Sequence, residues 1–246
     1  MEPRIVELFL LAFLSAFGLV VGLGAAFVAL YRRHVRQLRR LSRGIDQLAV
    51  LTLDRGALGG RPPPRWLAIR STNTPLLREL LRLDPTDVRL WSEALSRFRE
   101  QALFLSPPVD GWSLVIGGAL PDPAEDVEFC FHFLTRLSRE IGEVQLFSAD
   151  CVLNYHSWIR LQGGRVVRAY AWAGTTEWNE GPVTLDERLL GLRIRTYGEE
   201  AETTPYGEQP PEHANCERVA LLARRWSVDP IIASEFILQK EHLAGE

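Results

Sequence analysis

The chain has 246 residues, 46% of them hydrophobic and 24% charged, with a net charge of -3. These are the proportions of a folded globular protein and exclude a disordered or fibrous one. The charge is unevenly placed: residues 1–60 carry eight arginines against Glu2, Glu7, Asp46 and Asp54, while residues 61–246 carry 27 acids against 19 arginines and one lysine, Lys240.

From Leu8 to Leu30 there is no charged residue, and Ser15 holds the only side-chain hydroxyl. As a helix, this run spans roughly 34 Å, enough for a hydrocarbon core of ~30 Å. Arg32, Arg33, Arg36, Arg39, Arg40 and Arg43 follow it with no intervening acid, whereas Arg4 alone precedes it. That order is opposite to a cleaved signal peptide, and the positive-inside bias places the following chain in the cytoplasm. The expectation is a single-pass protein of a bacterial inner membrane, with its C-terminal domain cytoplasmic. Gly18, Gly22 and Ala26 recur every four residues, a spacing that lets two helices approach closely and offers a homodimer contact within the membrane.

Tyr31, Val35, Leu38, Leu41, Ile45 and Leu48 continue a helical apolar stripe among the arginines, until Gly56, Gly59, Gly60 and Pro62 to Pro64 end it. The chain thus divides into a transmembrane anchor (1–31), a basic juxtamembrane helix with a Gly/Pro linker (32–64), and a domain (65–246).

Within the domain, Trp66 to Arg70 reads as a strand. Asn73 or Thr74 with Pro75 caps a helix through Leu81, and Asp84 with Pro85 opens a second helix carrying Val88, Trp91, Leu95 and Phe98 on one face. Leu103 to Leu105 and Trp112 to Ile116 are short strands. A long helix runs from Val127 to Ile141 and stops at Gly142. Strands follow at Val144 to Phe147, Val152 to Leu161 and Val166 to Ala173, the last two hinged at Gly163 and Gly164. Thr184 and Glu187 form a capping box. Residues 197–215 read as a loop, and helices around Cys216 to Trp226 and Ile231 to His242 close the chain. The fold class is α+β, an N-terminal transmembrane helix plus one domain with a largely antiparallel sheet and packed helices.

Strand alternation sorts the hairpin onto two faces. Asn154, His156, Trp158 and Arg160 share one face with Arg168, Tyr170 and Trp172 from the partner strand; Ile159 and Leu161 share the other with Val167, Ala169, Ala171 and Ala173. For both apolar sets to lie on one side the turn must hold an odd number of residues, so three or five are expected. The polar face, Asn154, His156, Trp158, Arg160, Arg168, Tyr170 and Trp172, suits binding, since aromatic rings supply area and Arg and His supply directed donors. The competing reading is that helices cover it. His156 with Glu180, in the Gly-bounded loop Trp178 to Gly181, is the candidate acid–base pair of a membrane-tethered hydrolase.

Three cysteines without paired spacing, Cys130, Cys151 and Cys216, argue against a disulfide framework and for a reducing compartment. No zinc spacing, phosphate loop, dinucleotide motif or nucleophile elbow is present, so neither metal nor cofactor is expected. The acidic domain lacks the basic footprint that nucleic acid requires.

The blocks WLAIR, PPVDGWSLVIG, LSREIGEVQLF, YHSW, RAY, WNEG and WSVDP, spread over most of residues 65–230, resemble an uncharacterised group of bacterial proteins. The resemblance implies one coherent domain and assigns no activity or catalytic residue. The functional expectation is a membrane-anchored cytoplasmic protein-binding module, with the tethered hydrolase as the alternative and a purely structural anchor as a third possibility.

Overall fold

The computed structural model of the protein describes residues 62–83, 90–97, 100–199 and 212–244. All lie in one compact unit, Leu53–Glu246.

Seven strands form one sheet in the order β2-β3-β1-β4-β5-β6-β7, with every neighbouring pair antiparallel. They are β1 (Arg65–Ile69), β2 (Phe104–Leu105), β3 (Ser113–Ile116), β4 (Glu143–Asp150), β5 (Tyr155–Gln162), β6 (Arg165–Trp172) and β7 (Thr176–Glu180). The helices are α1 (Thr74–Leu80), α2 (Trp91–Arg97), α3 (Val127–Ile141), α4 (Leu185–Leu189), α5 (His213–Trp226) and α6 (Pro230–Ala244). Local chemistry starts several of them. Asn73 accepts from the Leu76 amide at α1, and Asp126 accepts from Phe129 at α3. At α4 the Thr184/Glu187 box is reciprocal. Such contacts satisfy amide groups that a helix N-terminus otherwise leaves orphaned.

Both faces of the sheet are covered, so alternation along each strand feeds two cores. Leu67, Ile69, Val144, Leu146, Ile159, Leu161, Ala169 and Ala171 pack with Leu77 of α1 and Cys130, Leu134 and Leu137 of α3. Trp66, Phe147, Trp158, Tyr170 and Trp172 pack with residues of α2, α5 and α6, among them Trp91, Val219, Leu222, Ala233 and Ile237.

Several expectations need correction. The α+β sheet-and-helix domain is present, but among the described residues no helix is long and apolar enough to cross a membrane. The longest, α3 and α6, have 15 residues each, about 22 Å against the ~30 Å of a bilayer core. The transmembrane fold class, the single-pass assignment and the inner-membrane location built on it are accordingly not upheld by this fold. The run Leu8–Leu30, the Gly18, Gly22 and Ala26 contact, the juxtamembrane stripe and the start of the Asp84 helix lie outside the described residues.

The hairpin turn also differs. Gln162 pairs with Arg165 around Gly163 and Gly164, whose φ angles of 56° and 77° suit a two-residue turn. The odd residue is Val167, bulged between the pairs Leu161↔Val166 and Arg160↔Arg168. The bulge, and not a longer turn, brings the two strands' faces back into agreement. Val167 itself leaves the apolar set and is exposed.

Residues 176–180 form a strand at the sheet edge instead of a loop. Finally, Cys151 and Cys216, 65 positions apart, are joined in a disulfide, which runs against the expectation drawn from their unpaired spacing. Only Cys130 is free, and it is buried.

Candidate functional site

The polar face of the β5–β6 hairpin lies beneath α5 and the segment around α4. Its rings pack side by side: His156 and Trp158 have centroids 5.7 Å apart and nearly parallel planes, and Trp158 and Tyr170 are 4.7 Å apart with their planes tilted by 35°. His156, Trp158, Arg168, Tyr170 and Trp172 are all buried.

At one end, Arg168 and Glu187 form an ion pair with neither side chain accessible to solvent. One carboxylate oxygen of Glu187 accepts from Arg168 Nε at 2.8 Å and from the Trp158 indole N–H at 2.6 Å. The other accepts from the Thr184 backbone N–H at 2.6 Å as part of the capping box. Arg168 Nη1 donates to the Ala169 and Glu180 carbonyls and to Asn179 Oδ1. A buried charge pair is tolerable only when its remaining hydrogen-bonding capacity is met in this way. Nη2 alone has no partner.

At the other end, the Asn215 side-chain amide donates to the Arg193 carbonyl at 2.6 Å and lies 3.0 Å from His156 Nε2, while its carbonyl accepts from the Arg193 N–H at 2.8 Å. Since that nitrogen of Asn215 is a donor, Nε2 is the acceptor, and the ring proton sits on Nδ1, which has no partner. Burial, reinforced by His213, pushes the His156 pKa down to about 3. The imidazole is therefore neutral at physiological pH and sealed from solvent. Between these ends, the Tyr170 hydroxyl accepts from the Arg195 amide, and Arg195 pairs with the buried Glu212 at 2.6 Å. Burial raises the Tyr170 pKa.

The Cys151–Cys216 bond anchors the first turn of α5, next to Asn215, to the segment between β4 and β5. The cover over the hairpin face is thus held covalently.

Two residues of the sequence-derived set sit apart. Arg160 is part-exposed and pairs with Glu143 at 2.9 Å; Glu143 also meets Arg70 at 3.1 Å and Gln145 at 3.0 Å. Asn154 lies before β5 with φ 53°, so it is a turn residue and not a strand residue. The other five belong to a core that α5 encloses. Charge reversal at Arg168 would consequently report on folding and not on binding.

Nor does the structure bring His156 and Glu180 together. His156 faces α5, whereas Glu180 is exposed and accepts from the indole of Trp178, which packs into the core on the opposite side of the sheet. Among the described residues, no group of His, Cys, Asp or Glu could hold a metal ion.

The residues that sequence reasoning passed over are Asn215, taken as loop, and the outward side of α6. In α6, Ala233, Ser234 and Ile237 are buried against the domain, and Glu241 accepts the Trp91 amide of α2 at 2.5 Å. At about 100° per residue, Ile232, Phe236 and Leu243 fall on the opposite side, where they are 50%, 43% and 66% exposed. The signal was available in the sequence: apolar residues around the whole circumference of α6, where a surface helix shows one apolar stripe.

No family model matches the chain, and no curated protein or solved structure matches it.

Proposed function

We propose that the domain is a protein-binding module whose recognition element is α6. One observation carries this reading: α6 buries one apolar side in its own core and presents a second, formed by Ile232, Phe236 and Leu243, to solvent. Apolar side chains aligned along an exposed helix mark interaction sites, and an amphipathic helix is read by a partner at such three- and four-residue spacings. The polar hairpin face supports the module differently, as the interior that fixes α5 and α4. The hydrolase alternative is not retained, because its two groups lie on opposite sides of the sheet.

The test is a photoreactive residue placed at position 232, 236 or 243 of the full chain in cells, with Arg136, exposed on α3, as the comparison. A discrete adduct from the three α6 positions and none from position 136 is the expected result. Equal labelling at all four positions, or none, overturns the proposal.

A further inference from the structure

We infer that the partner of α6 is a second copy of this chain, bound through a parallel pairing of the two α6 helices about a twofold axis; this rests on the reading of α6 as the recognition element. Ile232, Phe236, Gln239 and Leu243 are spaced by four, three and four residues, the alternation of inward positions in a helix pair. Glu235 directly precedes the inward Phe236, and Lys240 directly follows the inward Gln239.

In a parallel pair, the residue flanking the seam on one helix faces the residue five positions later on the other. Glu235 and Lys240 are separated by five, so each copy offers both members of the pair, and the twofold axis makes the contact twice. Both residues are exposed, and the Lys240 ammonium lies 4.4 Å from the centre of the Phe236 ring, beside the seam where the partner's carboxylate would approach. Lys240 is the chain's single lysine among 28 basic residues. An antiparallel pairing would instead bring like flanks together and leave the Glu235 and Lys240 charges unmatched across the seam. Gln239 supplies the one polar seam position, and in parallel register it meets its own copy, a device that fixes alignment.

The contact is short. Residues 232 to 243 span roughly 17 Å of helix, below the three to four heptads of a free coiled coil. An interface this small belongs to the weak end of specific association, so the dimer forms only as protein concentration rises.

Sedimentation equilibrium of the full chain tests this. The wild type is expected to dimerise with concentration. Glu235→Lys and Lys240→Glu should each weaken the dimer about fivefold or more, because each sets like charges opposite one another. The Glu235→Lys/Lys240→Glu double variant should recover it, as should an equimolar mixture of the two single variants. A chain that stays monomeric, or single variants that dimerise like the wild type, overturns self-pairing. Photoadducts at position 236 distinguish the two proposals: mass twice that of the chain supports both, another discrete mass overturns self-pairing but leaves the binding module standing, and no adduct overturns both.

Discussion

Arg168 and Glu187 form a fully buried ion pair, 2.8 Å from Nε to Oε1, that joins the middle of a sheet strand to the first turn of α4. Glu187 serves three donors at once: the Arg168 guanidinium, the Trp158 indole and the Thr184 amide. Removing the carboxylate therefore strands a buried cation and two N–H groups.

Glu187→Ala and Arg168→Met should each destabilise the domain by about 3 to 5 kcal/mol, the range for breaking one side of a buried pair. The double variant should cost less than the sum of the two, since neither then leaves a lone charge. Urea unfolding of the three variants measures the coupling; strictly additive losses would mean the pair is not an energetic unit.

The disulfide gives a count and a stability change. Under denaturing conditions without reductant, one thiol, Cys130, should react with an alkylating reagent, and three should react after reduction. With the cysteines 65 positions apart, loop-closure entropy puts the loss on reduction at about 4 kcal/mol, or roughly 10 °C in Tm for a domain of this size. Cys151→Ser should show the same loss and become insensitive to reductant. Thermal melts with and without a dithiol read both. Because such bonds persist in oxidising surroundings, the bond removes the reason for assigning the domain to a reducing compartment.

His156 makes stability depend on pH with a definite sign. Its native pKa is about 3 against an ordinary value of 6.5, so between those limits the unfolded chain binds a proton that the native chain does not. The stabilisation is fully present above pH 6.5 and is lost as pH falls toward 3, amounting to about 2 kcal/mol by pH 5. His156→Gln should flatten the slope of unfolding free energy between pH 5 and 6.5. An unchanged slope would place its origin in other groups.

Val167 is exposed, yet its presence sets the register. Val167→Thr should be nearly neutral, within about 0.5 kcal/mol, as for most surface changes. Deleting Val167 should instead abolish the near-ultraviolet circular dichroism of the native core, because a one-residue slip turns Arg168, Tyr170 and Trp172 to the wrong side. A deletion variant with wild-type spectrum and unfolding midpoint would show that the bulge does not set the register.

The sequence by itself determined what is decided within a few residues. The Thr184–Glu187 box, the Gly142 stop of α3, and the alternation that sends Trp158 and Ile159 to opposite sides are all local, because helix ends and strand faces follow from neighbouring side chains. Local spacing implies a turn with an odd number of residues, but a bulge in one strand satisfies the same parity, and strand pairing places it at Val167 behind a two-residue turn. The tertiary structure alone decided which faces are covered. Asn215 meets His156 across 59 positions, and Cys151 meets Cys216 across 65. Contacts of that range depend on where the chain returns, which no local period encodes. They convert the apparent binding face into core, whereas Ile232, Phe236 and Leu243 on the outer side of α6 stay exposed.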